Sequence, residues 1–296
     1  MLCGEYAVTI GIEALALPVR KGQWMDVWEF DSPSEDHLVW NAIDCNGNHW
    51  LNETFPLPIH ESNEECSGER GVLLSMLKQV PSNFWAARSS YRIETQLEFE
   101  QNSGLGSSST LIANFSHWTG LDAQRLQQSV FGGSGYDIAL AELGKPLIFW
   151  IEKEQANWAP WTLHENLTSN WHLVFLGKKQ NSRSSLVEVK HRLQKTQTDD
   201  FLMQQLKHVA NAVKMAQEIA MLEAGLEMWQ AVLSMALGLK TPYQQFEILP
   251  IKGGLCKWLG AWGGDMLLVN KTFIRKNAVF LENYTVVSWN EWVINE

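Results

Sequence analysis

The stretch Gln101-Asn-Ser-Gly-Leu-Gly-Ser-Ser-Ser-Thr110 is rich in glycine and serine and lies between two segments of regular pattern. The alternating run Tyr91 to Phe99 precedes it and predicts a strand, and the helix-like run Leu111 to Thr119 follows it. Glycines let a backbone approach a ligand closely, and the N–H groups at a helix N-terminus favour an anion. Gly104 to Thr110 therefore predicts a phosphate-binding turn, although a plain capped turn explains this motif alone equally well.

Two common phosphate-binding fingerprints do not fit this turn. A Walker A loop ends in Gly-Lys-Ser/Thr, which the chain lacks here. A dinucleotide fingerprint of the form G-x-G-x-x-G needs a glycine where Ser109 stands. The serines of the turn can cap the following helix, and one of them can also bind Mg²⁺.

A second glycine cluster, Phe131-Gly-Gly-Ser-Gly-Tyr-Asp137, leads into a predicted helix from Ile138 to Leu143. A carboxylate beside a phosphate loop can orient an acceptor hydroxyl and accept its proton during phosphoryl transfer. Taken alone, however, Asp137 is better explained as an aspartate that satisfies the first turn of its own helix.

A third glycine cluster, Leu259-Gly-Ala-Trp-Gly-Gly-Asp265, precedes the predicted strand Met266 to Val269. We expect its small residues either to pack against the phosphate-binding turn or simply to form a tight turn into the strand.

Together these segments resemble the GHMP kinases, a family that includes galactokinase and the homoserine, mevalonate and phosphomevalonate kinases. That family carries a Gly-Glu-His/Tyr segment, a Gly-Leu-Gly-Ser-Ser loop, a Ser/Gly-x-Asp motif and a late Gly-Ala-Gly-Gly-Gly turn. Here they occur in the same order as Gly4-Glu-Tyr-Ala-Val8, Gly104 to Ser109, Ser134-Gly-Tyr-Asp137 and Gly260-Ala-Trp-Gly-Gly-Asp265. The string Gly135-Tyr-Asp-Ile-Ala139 is similar to the one that names a bacterial subgroup of the family, whose members resemble mevalonate and phosphomevalonate kinases.

The resemblance implies a set of site residues and two cofactors, ATP and Mg²⁺. Asp137 would serve the acceptor hydroxyl, Glu5 and Tyr6 would face the acceptor, and Ser108 would bind Mg²⁺. The backbone amides of the loop would hold the β- and γ-phosphates; the loop residues are Gly104, Leu105, Gly106, Ser107, Ser108 and Ser109. A glycine turn would support the site; its residues are Gly260, Ala261, Gly263 and Gly264.

The resemblance also implies a fold and an activity. The expected fold is α+β with two lobes, a ribosomal protein S5 domain 2-like N-terminal lobe (residues 1–165) and a ferredoxin-like C-terminal lobe (residues 166–296). The expected activity is ATP-dependent phosphorylation of a small metabolite's hydroxyl, with mevalonate as the first candidate because Gly4-Glu-Tyr-Ala-Val8 resembles that branch. Phosphomevalonate kinase, a diphosphomevalonate decarboxylase-like enzyme and a nucleotide-binding homologue without catalysis are the alternatives.

Two positions depart from the family pattern. The family usually has a Lys a few residues before Gly-Glu-Tyr, and the sequence begins at Met1 with no such Lys. Many mevalonate kinases also have a Mg²⁺-binding Glu shortly before the Asp motif, where this chain has Gln127-Gln-Ser129. Metal binding is therefore expected to depend on Ser108, Asp137 and the nucleotide.

Composition excludes several other classes of function. The 296 residues carry a net charge of −10, which argues against a nucleic-acid surface. No apolar run approaches 18 residues, and the eight histidines show no paired metal spacing. We expect a cytoplasmic protein with a small-molecule substrate, no nucleic-acid or membrane partner, and a homodimer as one option. The Met and Leu spacing from Phe201 to Leu239 predicts helix core rather than a ligand site.

Overall fold

The computed structural model describes residues 1–31, 36–59, 67–86, 88–101, 103–177, 182–260, 262 and 265–296. Its strands are β1 (Ala14–Ala16), β2 (Gln23–Asp31), β3 (His37–Ile43), β4 (His49–Pro56), β5 (Ser89–Leu97), β6 (Leu147–Glu152), β7 (Gln155–Pro160), β8 (Trp171–Phe175), β9 (Cys256–Leu259), β10 (Met266–Asn270) and β11 (Thr285–Ser288). Its α-helices are α1 (Gly68–Leu77), α2 (Ser107–Thr119), α3 (Ala123–Val130), α4 (Tyr136–Leu143), α5 (Ser182–Gln197), α6 (Asp200–Met215), α7 (Ile219–Leu237), α8 (Pro242–Gln245), α9 (Lys271–Lys276), α10 (Ala278–Leu281) and α11 (Trp289–Trp292).

Two segments differ from what the sequence pattern predicts. The run Met1 to Val8 looks like a strand, but Cys3 forms only an isolated bridge with Leu15, and a short 3-10 helix spans Ala7–Ile10. The strand ends early because Gly4 (φ 100°) and Tyr6 (φ 56°) adopt positive φ angles, which extended backbone does not allow. The polar segment Trp158 to Asn170 predicts an irregular connection, but its first residues lie inside β7, which pairs with β6.

The chain divides into two compact units. The first unit consists of Met1–Arg20, Asn102–Leu105 and Leu143–Glu296, and the second of Lys21–Gln101 and Gly106–Glu142. The chain crosses between them four times, so neither unit is a single continuous segment. The predicted lobes, residues 1–165 and 166–296, stay a prediction.

The second unit packs helices on one face of a sheet with the strand order β2-β5-β3-β4. Strands β3 and β5 run parallel, and the other neighbouring pairs are antiparallel. Alternate residues of the strands, such as Trp40 and Ile93, are buried against helix residues that include Ile112, Phe115 and Ile138. This period-two burial follows from the alternation of side chains across a strand, which is the pattern on which β5 was predicted.

The first unit contains a three-stranded sheet, β1-β6-β7, and a four-stranded antiparallel sheet, β11-β8-β10-β9. Helix α7 lies against β9 and supplies Leu222, Leu226, Trp229 and Leu233 to the core. The Gln230 side chain of α7 hydrogen-bonds to backbone of β9: its Nε2 donates to the Cys256 carbonyl (3.0 Å), and its Oε1 accepts from the Trp258 N–H (2.9 Å). A helix side chain therefore satisfies polar groups of an edge strand.

The four cysteines are widely scattered without a CxxC pair, which predicts free thiols. Cys3, Cys45 and Cys256 are free, and Cys66 lies outside the described residues. Within the described ranges, no helix combines the length and apolar character needed to cross a membrane.

Candidate active site

The predicted phosphate-binding turn begins in the first unit with a close contact between Gly104 and Asp265. Gly104 has a φ of +74°, and a Cβ placed on it would lie 2.5 Å from the Cβ of Asp265 and 2.6 Å from its Oδ2. Only glycine fits here without displacing Asp265, which is itself 7% exposed. The turn and the third glycine cluster are thus in contact. The sequence suggested that small residues of the cluster would make such a contact, but the residue that makes it is Asp265. Ala261, Gly263 and Gly264 lie outside the described residues.

The turn ends where α2 begins. Gly106, in the left-handed conformation (φ 81°), is the N-cap of this 13-residue helix, and it has no side chain with which to cap the N–H groups of the first turn. By contrast, α3 begins at Asp122, whose carboxylate accepts a hydrogen bond from the Arg125 N–H. The first turn of α2 is therefore an N-terminus that presents backbone donors and a positive dipole end.

Two hydrogen bonds to β2 fix the start of α2. Thr110 Oγ1 donates to Gln23 Oε1 (2.8 Å), and Asn114 Nδ2 donates to the Gln23 carbonyl (2.7 Å). These bonds lie within the second unit and hold the helix on the edge strand of its sheet. The amides of Ser107 and Ser108 are thereby carried on a rigid element, as a pre-organised anion site requires.

Ser103, the residue before Gly104, carries a buried hydroxyl with no partner. The residue is 9% exposed, and its Oγ makes no hydrogen bond within the described part of the chain. A buried hydroxyl without a partner costs free energy, so it commonly marks a place where a ligand or water completes the bonding. Sequence reasoning did not select Ser103, although it is a hydroxyl residue directly preceding the glycine turn.

The second glycine cluster is fastened to α3 by two glutamines of that helix. Gln124 Nε2 donates to the Gly135 carbonyl (3.0 Å), and Gln127 Nε2 donates to the Gly132 carbonyl (3.0 Å). Position 135 favours glycine because its φ is +80°, and a Cβ there would also displace the end of the Gln124 side chain, which would lie 2.0 Å away. Asp137 follows in the first turn of α4, as predicted, and burial raises the pKa of its carboxyl.

The oxygen atoms of this region fit a magnesium ion that arrives with a nucleotide, rather than one held by protein alone. Within the described ranges, no cluster of three or more His, Cys, Asp or Glu side chains could hold a metal. Mg²⁺ at kinase sites is typically bound by one or two protein oxygens together with substrate phosphates, so such a cluster is not required. Gln127 lies in the stretch where the resemblance implies a Glu, and its buried Oε1 makes no hydrogen bond within the described part of the chain. The assignment of Mg²⁺ to Ser108 stays a prediction.

Glu5 lies in a buried network inside the first unit. It is 4% exposed; its Oε1 pairs with Lys257 Nζ, and its Oε2 accepts from Trp229 Nε1 (2.7 Å). Lys257 is 1% exposed and also donates to the Trp258 carbonyl (2.7 Å). Both carboxylate oxygens therefore have partners, and the network ties the Gly4-Glu5-Tyr6 segment to α7 and β9.

Tyr6 connects the same segment to the third glycine cluster. Its hydroxyl accepts a hydrogen bond from the Trp262 N–H (3.0 Å). Burial raises the pKa of the Tyr6 hydroxyl, the hydrogen bond from Trp262 opposes this, and the charges of Glu5 and Asp265 add to the rise. Tyr6 is therefore a neutral hydroxyl at ordinary pH, and it anchors the residues around Trp262.

The structure thus brings some of the predicted residues together. In the first unit, Gly104 contacts Asp265, and Tyr6 contacts Trp262 within the same third cluster. Asp137 is placed at the start of α4 in the second unit, where its predicted role toward an acceptor hydroxyl stays a prediction. Lys257 was not selected from the sequence, because its local pattern is that of an ordinary strand residue. Asp265 was quoted as the last residue of the third glycine cluster but was given no role.

Comparisons with known proteins bear on the fold. No protein-family model matches the chain, and no curated protein matches it in sequence. The mevalonate kinase of Methanococcus jannaschii matches it in structure with a TM-score of 0.71 at 17% identity, over 97% of this chain and 93% of that one. A second mevalonate kinase structure matches with a TM-score of 0.72 at 17% identity, over 100% and 96%. The Lactococcus lactis galactokinase, in complex with galactose, matches with a TM-score of 0.64 at 13% identity, over 100% and 91%.

These matches extend over nearly the full length of the chain and of each neighbour. At identities of 13% to 17% they establish the fold. The α+β class predicted from the sequence is confirmed, and the chain has the fold of the GHMP kinases.

Proposed function

We propose that this chain is an ATP-dependent kinase that phosphorylates a hydroxyl group of a small metabolite, with mevalonate as the acceptor. The observation that carries the proposal is the turn from Ser103 to Ser109 in a chain with this fold. It combines glycines at positive φ, a helix N-terminus without a side-chain cap and a buried hydroxyl without a partner. Each of these three features suits a bound phosphate group.

In this proposal, the chain's own residues position the reactants and neutralise charge. The backbone N–H groups of Gly106, Ser107 and Ser108 and the hydroxyl of Ser103 donate to phosphate oxygens, whereas the Ser109 N–H already donates to the Gly106 carbonyl (2.9 Å). Asp137 accepts the hydrogen bond of the acceptor hydroxyl and takes its proton as the new O–P bond forms and the bond from the γ-phosphorus to the bridging oxygen breaks, which releases ADP. The raised pKa of Asp137 makes it a stronger base than an ordinary aspartate.

Magnesium supplies charge neutralisation on the β- and γ-phosphates when it is bound. Ser108, through its hydroxyl, and Gln127, through its amide oxygen, are the side chains that would hold it.

The choice of mevalonate rests on the Gly4-Glu-Tyr-Ala-Val8 segment and on the likeness to mevalonate kinase structures. The likeness to a galactokinase structure makes a sugar the main competitor. Glu5 and Tyr6 would influence the acceptor mainly by fixing the backbone of their segment, since their side chains already bond to Lys257, Trp229 and Trp262.

The experiment is an ADP-release assay with Mg·ATP and a panel of acceptors: mevalonate, phosphomevalonate, homoserine and galactose. We expect ADP release with mevalonate and its loss in Asp137→Asn, while ATP binding measured by calorimetry persists. Glu142→Gln is the matched control, because Glu142 is an exposed acid on the same helix. Unchanged turnover in Asp137→Asn would refute the assigned role of Asp137.

Other results would identify the alternatives. Release of CO₂ from mevalonate diphosphate would identify a decarboxylase. ATP binding without turnover on any acceptor would indicate a nucleotide-binding protein without catalysis, and absence of ATP binding would refute the proposal as a whole.

A further inference from the structure

The outer side of α7 is composed only of alanine and methionine. Among the positions of this 19-residue helix, those classed as exposed are Ala220, Met221, Ala224, Met228, Ala231 and Met235. The three methionines are 61%, 55% and 76% exposed, in chain order. The sequence pattern predicted that the Met and Leu residues here form core, which is correct for the leucines of α7 and wrong for these methionines.

A helix on a protein surface normally carries charged or polar residues on its outer side. Helix α6 follows that rule in part, because its exposed positions include Gln204, Lys207 and Asn211 beside the apolar Phe201 and Met215. Helix α7 has neither a charge nor a polar side chain among its exposed positions. A long apolar strip of this kind marks an interaction surface.

The strip has the spacing of a helix–helix seam. Met221, Met228 and Met235 recur every seven residues, and Ala224 and Ala231 lie three residues after the first two methionines. This alternation of three and four residues is the a/d repeat by which two helices pack along their length. At 1.5 Å per residue, the strip from Met221 to Met235 is about 21 Å long. We call these five residues the α7 seam.

We propose that the α7 seam is the contact between two copies of this chain. The two copies of α7 pack as an antiparallel pair, and the twofold axis crosses the seam midway along it, at the level of positions 229 and 230. In that register, Met228 faces the partner's Ala231, and Met235 faces the partner's Ala224. Each flexible methionine then fills the space beside a small residue, as close helix packing requires. A parallel pair in register would set methionine against methionine and alanine against alanine, leaving gaps at every alanine.

Charges at the two ends of α7 favour the same arrangement. Glu218 immediately precedes the helix, Lys240 follows its end at Leu237, and both are exposed. The backbone of Lys240 is fixed in place, because its carbonyl accepts hydrogen bonds from the indoles of Trp258 (3.1 Å) and Trp262 (2.6 Å). In the antiparallel pair, Glu218 meets the partner's Lys240 at both ends. In a parallel pair, like charges would meet.

The seam also avoids the general repulsion between two copies that each carry a net charge of −10. The acidic residues of α7, Glu223 and Glu227, point inward and accept hydrogen bonds from Trp171 and Tyr243. Like copies can therefore approach along this side without bringing carboxylates together.

The test is sedimentation equilibrium of the full chain over a range of concentrations. We expect a dimer for the native sequence and a dissociation constant raised at least about 100-fold by Met228→Glu, which places a charge in the centre of the seam. Met215→Glu is the matched control, because Met215 is somewhat more exposed (64%) than Met228 (55%) but lies on α6, and it should leave the dissociation constant unchanged. Circular dichroism would verify that both variants fold.

Charge reversal tests the orientation of the pair. At low salt, Glu218→Lys and Lys240→Glu should each weaken the dimer about 5- to 10-fold, and the double variant should restore it. A native chain that stays monomeric at about 100 µM, where even a weak specific dimer forms, would overturn the proposal. Equal effects of Met228→Glu and Met215→Glu, or a double reversal that fails to restore association, would overturn it as well.

Discussion

Replacing Gly104 by alanine tests the contact on which the candidate site depends. The new Cβ would lie 2.5 Å from the Cβ of Asp265, an atom close to the backbone that cannot swing away as the end of a long side chain would. The φ of +74° adds the cost of a left-handed conformation, about 1–2 kcal/mol for a residue other than glycine. Displacing packed atoms costs about 1–3 kcal/mol more, so we expect a total loss of about 2–5 kcal/mol in the free energy of unfolding.

Gly106→Ala provides the matched control two residues away. Gly106 has a similar φ of +81°, but a Cβ there would meet nothing within 4 Å. This variant should therefore lose only the conformational part, about 1–2 kcal/mol. Urea unfolding of both variants at 25 °C measures the two losses, and their difference isolates the contact with Asp265.

The double variant Gly104→Ala/Asp265→Gly completes the cycle. Removing the Asp265 side chain makes room for the new methyl group, so the two substitutions should be less damaging together than the sum of their separate effects. A Gly104→Ala variant that is no less stable than Gly106→Ala would refute the close approach of the turn to Asp265. Strictly additive effects in the double variant would refute it too.

The remaining predictions concern three buried polar groups. Lys257→Met leaves the carboxylate of Glu5 buried without its cation and should lower the free energy of unfolding by about 3–5 kcal/mol, measured by urea unfolding. Burial raises the pKa of the Glu227 carboxyl above its value in the unfolded chain, so protonation of Glu227 stabilises the folded state. This stabilisation is present at low pH and is lost as the pH rises through the folded-state pKa. Glu227→Gln should therefore flatten the dependence of the unfolding free energy on pH above about 4.3. Ser103→Ala removes a hydroxyl that has no partner in the described structure, so thermal unfolding of the free protein should show equal or greater stability, whereas calorimetry should show ATP binding weakened about 3- to 10-fold.

Local patterns in the sequence were sufficient to predict the turn at Gly104 and the elements around it. Alternating apolar and polar residues predict β5, and apolar residues at helical spacing predict α2. The glycines between these two elements can be recognised as a turn without any tertiary information. The strand predicted for Met1 to Val8 is wrong because Gly4 and Tyr6 adopt positive φ angles, which an apolar run does not reveal.

Contacts between distant parts of the chain were not predictable in this way. Glu5 and Lys257 are separated by 252 positions, and each looks like an ordinary charged residue in its own neighbourhood. The exposed side of α7 escaped prediction for a different reason. Its leucines and methionines are all apolar, so the sequence shows a helix that is apolar on more than one side without showing which side is buried.

The network at Glu5 changes how the Gly-Glu-Tyr segment is understood. A carboxylate with both oxygens bonded, one of them to a buried ammonium, is costly to remove from its partners, so Glu5 is held in place whatever binds nearby. Tyr6 extends the same constraint to the Trp262 N–H, and the third glycine cluster then continues to Asp265, which lies against Gly104. Within the first unit, described contacts therefore lie at two places in the third cluster: Tyr6 at Trp262, and Gly104 at Asp265. If the predicted phosphate-binding turn holds a nucleotide, substitutions at Glu5 should alter ATP affinity together with stability, because Glu5 fixes the segment that carries Tyr6.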